Sequence, residues 1–157
     1  MDDDSPAVRV AEVSDYADVA RCMAAFRDFL GDDTPTESQL AVGAYHALAN
    51  DLAEYLLVGE PAHSYVQLRY VWSAWHLKDL CWVEDVFVDA RHRGKGVGYV
   101  LMQAAIDRAS QRGCHRLQLD ANERNEAGAA LYANIGFTHT SAWWDGGKDL
   151  YWVLSLE

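Results

Sequence analysis

Val86-Phe87-Val88-Asp89-Ala90-Arg91-His92-Arg93-Gly94-Lys95-Gly96-Val97-Gly98-Tyr99 runs from an apolar strand pattern through a glycine-rich turn into a helical pattern. Val97, Val100, Leu101, Ala104 and Ala105 leave the turn at helical spacing. Glycines carry no Cβ, so backbone N–H groups around Gly94, Gly96 and Gly98 can approach an anion closely. The helix after the turn adds its unpaired first amides and the positive end of its dipole. Diphosphate is the natural ligand of that geometry. Arg91, Arg93 and Lys95 supply extra positive charge.

Two common phosphate-binding loops do not fit. Gly-x-x-x-x-Gly-Lys-Ser/Thr is absent from this turn. A dinucleotide fold has the better claim, because Asp120 lies about 20 residues past the glycines at the end of the next strand. That fold, however, turns at once from strand to glycine, and here residues 89–93 intervene, while Tyr99 stands where its third glycine belongs.

Outward from the turn, residues 81–88 read as a strongly apolar strand broken only by Glu84 and Asp85. Upstream, 55–58 and 65–72 are aromatic and β-branched around Gly59-Glu60-Pro61, which predicts a hairpin. Thr36-Glu37-Ser38-Gln39 is a capping box that opens a helix to about Asn50. Residues 8–13 alternate as a short strand, and Ser14 is placed to cap a helix to about Leu30. Downstream, the helix from the turn ends near Gly113, 117–119 is a strand, and 126–134 is a short helix closed by Gly136. Residues 138–144 and 150–156 are two further strands about Gly146-Gly147. This order of elements predicts an α/β (mixed α+β) fold. Its mostly antiparallel sheet has six to seven strands, with about four helices on both faces.

At 157 residues the chain amounts to one domain, 1–157, large enough to bury roughly 68–70% of its unfolded surface. No run approaches the ~18 apolar residues of a membrane span. Met1-Asp2-Asp3-Asp4-Ser5-Pro6 is acidic and unlike a secretory signal, so a cytoplasmic protein is expected. Cys22, Cys81 and Cys114 suggest neither a disulfide framework nor zinc and read as small buried hydrophobes; the six histidines show no metal spacing, so no metal is expected. A net charge of −11 argues against nucleic acid as partner. Residues 1–60 hold thirteen Asp and Glu against three Lys and Arg, so nearly all the imbalance sits there. That segment is either a solvated face or an acidic wall that attracts a cation.

Val83-Glu84-Asp85-Val86-Phe87-Val88 followed by Arg93-Gly94-Lys95-Gly96-Val97-Gly98 resembles the strand and Arg-x-x-Gly-x-Gly turn of the GNAT acetyltransferase superfamily. Asn125, Leu131-Tyr132 and Ile135-Gly136-Phe137 resemble its downstream Asn…Leu-Tyr…Gly-Phe segment. The resemblance covers roughly 81–137. It implies a GNAT fold and transfer of an acetyl group from acetyl-CoA to an amine by direct attack in a ternary complex. It further implies that amides of Gly94, Lys95, Gly96, Val97, Gly98 and Tyr99 hold the CoA pyrophosphate. Backbone at Val86, Phe87 and Val88 would pair with the pantetheine arm, and Asn125 would touch the cofactor, unless it is only a helix cap.

Acetylating an amine needs two proton movements. An ammonium with a pKa near ~10 must lose a proton, and a thiolate whose thiol pKa is near ~8.5 gains one. Glu84 is the expected base: strict alternation puts it on the face of Trp82, Val86 and Val88, with Asp85 opposite as structure or secondary anchor, and a local bulge would break that parity. Val83-Glu84-Asp85 is also similar to the Leu-Glu-Asp of polyamine acetyltransferases, whose Glu is taken as the base. The bland alternative is that Glu84 binds a basic side chain or the ammonium itself. Tyr132 is the expected acid, since the family's tyrosine on this helix reaches the CoA sulfur; otherwise it is a core aromatic.

For the acceptor, Asp28, Asp32 and Asp33 lie where GNAT proteins often line that site, and with Glu84 and Asp85 they favour a small cationic amine. A polyamine or an aminoglycoside has that chemistry. Trp72, Trp75, Trp143 and Trp144 can supply cation–π contact, or else core or homodimer contact. The other readings are a protein or peptide acetyltransferase acting on an N-terminus or lysine, and a non-catalytic CoA-binding sensor.

Overall fold

In the computed structural model, which describes residues 6–139 and 154–156, two compact units meet between Asp120 and Ala121. The first unit holds most of the elements. β1 spans Val8–Val10, α1 Tyr16–Leu30, α2 Glu37–Ala49, β2 Glu54–Val58, β3 Ser64–Ser73, β4 Lys78–Val88, α3 Val97–Gln111 and β5 Arg116–Gln118. The second unit contains α4, Glu126–Ile135. The strands expected over 138–144 and 150–156 fall largely outside the described residues, and Trp143 and Trp144 with them. Among the described residues the sheet has five strands and no helix is long and apolar enough to cross a membrane.

Local signals explain most element boundaries. Thr36 and Gln39 form the capping box of α2: the Thr36 Oγ1 accepts from the Gln39 N–H, and the Gln39 Oε1 accepts from the Thr36 N–H at 2.9 Å. The start of α1 differs from expectation. A 3-10 turn over Val13–Asp15 takes the place of a Ser14 cap, and the Glu12 N–H donates to Asp15 Oδ2 at 2.7 Å. Asp15 also accepts from Arg9 of β1 at 2.9 Å, so an ion pair joins this turn to the first strand.

The sheet order is β1-β2-β3-β4-β5, antiparallel through β4 and parallel between β4 and β5. One face carries Tyr55, Leu57, Tyr65 and Phe87, packed with Val19 and Cys22 of α1 and Ala44 and Leu48 of α2. Alternation sends Leu56, Val66, Leu68 and Val83 to the other face, where α3 crosses β1 to β4. Val97, Leu101 and Ala105 of the stripe read from sequence are buried together with Met102 and Ala109, while Val100 and Ala104 are half-buried. Arg108 clamps this helix to β2 with two bonds to Glu54, at 2.9 and 2.6 Å.

Two features of β4 bear on its chemistry. β5 pairs only with Leu80, Cys81 and Trp82, so from Val83 to Val88 one edge of β4 lies beside β3 and the other has no strand among the described residues. In the β3 ladder Gln67 faces Asp85 while Leu68 faces Val83, which leaves Glu84 as the extra residue of a β-bulge.

Candidate cofactor and acceptor site

β4 delivers the chain into the glycine turn through a braced corner. Asp89 Oδ1 accepts from the Arg91 N–H at 2.9 Å and from Arg91 Nε at 3.0 Å. Those bonds hold the Asp89 carboxyl down at about 2. The Arg93 Nε donates to the Val88 carbonyl at 2.9 Å, and its guanidinium lies 4.3 Å over the Phe29 ring of α1. Two of the three cations expected to face an anion therefore brace the turn. Lys95 is exposed and makes no ion pair among the described residues. Beneath the corner, the rings of His63 and His92 stack at 3.6 Å and 5°, and His63 Nδ1 lies 2.8 Å from the Ser64 hydroxyl. Burial, reinforced by His92, lowers the His63 pKa.

The turn itself takes the form its glycines permit. Gly94 and Gly96 have φ of +73° and +80°, and a Cβ at either would meet no atom within 4 Å. That is open space bordered by backbone. The first i→i−4 bond of α3 runs from the Val100 N–H to the Gly96 carbonyl at 3.1 Å, so the N–H groups of Val97, Gly98 and Tyr99 precede the helical ladder. The positive dipole end, amides that precede the helical ladder and vacant space coincide there. Along the strand leading in, Val86, Phe87 and Val88 lie on the stretch of β4 whose second edge has no strand among the described residues.

The bulge overturns the expected parity of the two carboxylates. Arg69 and Tyr65 alternate onto one face of β3, and each binds one of them. Arg69 Nε donates to Glu84 Oε2 at 2.7 Å, with a second guanidinium nitrogen on the same oxygen. The Tyr65 hydroxyl donates to Asp85 Oδ2 at 3.1 Å. Glu84 thus leaves the face of Val86 and Val88, and both carboxylates share the face of Tyr65 and Phe87. Strict alternation fails because the extra residue shifts the pleat by one. Burial raises the Asp85 pKa, opposed by the Tyr65 hydroxyl and reinforced by Glu84.

The other expected residues are scattered. Asp28 is exposed and accepts from Arg27 at 2.6 Å; Asp32 and Asp33 lie exposed in the loop after α1, and none of the three bonds β4 among the described residues. The Phe26 ring lies 5.5 Å from that of Phe87, tilted by 31°, which sets the end of α1 beside the end of β4. Trp72 is exposed and alternates onto the α3 face, away from Glu84. In the second unit, Asn125 caps α4, its Oδ1 accepting from the Gly128 N–H at 2.9 Å. Tyr132 stands 5.9 Å from the Phe137 ring, and burial raises its pKa. Sequence reasoning missed Arg69 and Tyr65, whose roles arise only from strand register.

Comparison with known proteins gives a consistent family. Residues 23–137 match the Acetyltransferase (GNAT) family, a match that runs through both units. A streptothricin acetyltransferase of Streptomyces lavendulae is 34% identical over 68% of this chain and 47% of its own length. One from Escherichia coli is 30% identical over 80% of this chain and 59% of its own. The chain spans about half the length of these two relatives. A crystal structure from Arthrobacter sp. FB24, assigned to the acetyltransferases, superposes with a TM-score of 0.88 at 25% identity, covering 99% of both chains. The two relatives are named for streptothricin, not for a polyamine.

Proposed function

This chain belongs to the acetyltransferase (GNAT) family, and on that premise we propose that it moves acetyl from acetyl-CoA to a primary amine of a small cationic molecule. The observation that carries this reading is the turn at Gly94 and Gly96, open above its glycines, running into the N-terminus of α3 and following the stretch of β4 with one edge unpaired among the described residues. Those features fit the coenzyme. Amides of residues 94–99 would hold its pyrophosphate, and Val86, Phe87 and Val88 would pair with its pantetheine arm. When bound, acetyl-CoA supplies an acetyl group activated as a thioester.

The chain's own residues do the rest. Glu84 and Asp85, brought to one face by the bulge, receive the acceptor ammonium. Alignment of that nitrogen is a large share of catalysis, and no covalent enzyme intermediate is needed. Tyr132 as the donor to the departing sulfur and Asn125 as a further cofactor contact rest on the family resemblance alone; burial keeps the Tyr132 hydroxyl protonated at neutral pH, as a donor requires. The acidic first third, with Asp28, Asp32 and Asp33, favours a cationic acceptor by its field. The names of the two relatives add streptothricin to polyamines and aminoglycosides as acceptors worth testing.

A thiol-release assay with acetyl-CoA against streptothricin, polyamines, aminoglycosides, amino acids and peptides tests this reading. Turnover on a small polycation is the expected result. Turnover on peptides alone would move the chain to protein acetylation, and CoA binding without turnover on any amine would make it a sensor.

A further inference from the structure

We propose that Asp85, and not Glu84, takes the proton from the acceptor ammonium, while Glu84 and Arg69 position the charge beside it. The assignment rests on the transferase reading above and concerns the same face of β4.

The two carboxylates differ in what already holds them. Glu84 Oε2 accepts two guanidinium nitrogens of Arg69, one at 2.7 Å. That oxygen is already engaged, and the acceptor nitrogen would have to displace Arg69 to use it. Asp85 meets one neutral donor, the Tyr65 hydroxyl at 3.1 Å. Among the described residues its other oxygen has no hydrogen-bond donor and can accept a proton, and the residue is half-buried, so an amine can still reach it. The groups facing it come from several elements: Tyr65 on β3, Glu84 on β4, Tyr55 on β2 and, behind Tyr65, Cys22 on α1. Glu84 is the charged neighbour among them. Its fixed negative charge makes protonation of Asp85 easier, and burial acts in the same direction.

The step balances without any redox partner. An N–H bond of the ammonium breaks, an O–H bond forms on Asp85, and the nitrogen keeps the electron pair with which it attacks the acetyl carbonyl. Asp85 then loses that proton to water before the next turnover.

The test combines pH–rate profiles of thiol release with ¹³C titration of the Asp85 carboxyl in the unliganded protein. Asp85→Asn is expected to lower kcat by about 10²- to 10⁴-fold and to abolish the acid limb. Glu84→Gln should keep an acid limb, moved to lower pH, and act mainly on the acceptor KM. Tyr65→Phe preserves the packing and removes only the hydroxyl, so it remains informative if Asp85→Asn misfolds. It should raise both the acid limb and the Asp85 titration midpoint. Wild-type turnover whose acid limb vanishes in Glu84→Gln and does not move in Tyr65→Phe would overturn this assignment alone. A wild-type protein that acetylates no amine would overturn the transferase reading beneath it.

Discussion

Replacing Gly96 by alanine separates two effects that coincide at the turn. Gly96 and Gly113 both hold left-handed backbone, at φ +80° and +75°, and a Cβ at either meets nothing within 4 Å. An alanine at either position therefore carries the same backbone strain, about 1–2 kcal/mol. For a chain of this length each kcal/mol lowers Tm by about 2–4 °C, so both variants should lose about 2–8 °C. Only one of them should affect the coenzyme. At Gly96 the new methyl enters the space proposed for pyrophosphate and displaces one amide–phosphate hydrogen bond, worth about 1.5–3 kcal/mol when one partner is charged. That converts to about a 10- to 150-fold rise in Kd. Gly113 lies past the far end of α3, a helix about 22 Å long at 1.5 Å per residue, and its variant should bind like wild type. Calorimetric titration with CoA reads the difference. Equal affinity of the two variants, with equal loss of Tm, would refute the placement of the anion at this turn.

Leu101 is fully buried on α3, and Leu101→Ala should cost about 2–5 kcal/mol by urea denaturation, through the cavity it leaves beneath the sheet. Asn125→Ala removes the cap bond to the Gly128 N–H and should cost about 0.5–2 kcal/mol locally, read as faster hydrogen exchange of the α4 amides. His63 has a folded-state pKa below its ordinary value, so the unfolded chain binds the proton more readily. Its contribution to stability is present above the unfolded pKa near ~6.5 and is lost as pH falls toward the folded value. Tm should accordingly decline below about pH 6.5, and His63→Phe, which keeps a ring on the His92 face without a titrating nitrogen, should reduce that decline.

What the sequence disclosed was local. The capping box at Thr36 and Gln39, the apolar stripe of α3, the hairpin about Gly59 and the glycine turn each declare themselves within a few residues, and each stands where it was expected. What it concealed depends on partners distant along the chain. The bulge at Glu84 exists only in the register between β3 and β4, and it decides which face both carboxylates take. The partners Arg69 and Tyr65 lie 15 and 20 residues away from them, and no spacing rule reaches that far. The partners of the charges near the turn were also not legible: Arg91 donates to Asp89 and Arg93 to the Val88 carbonyl. Asp28 is likewise engaged by its neighbour Arg27.

Recording ¹⁵N–¹H spectra of the labelled protein while CoA is added tests the anion cradle most directly. The amides of residues 94–99 should shift most, with smaller shifts on the open edge of β4 at Val86, Phe87 and Val88. Spectra in which those amides stay still under saturating CoA, or in which the shifts gather elsewhere in the chain, would contradict it.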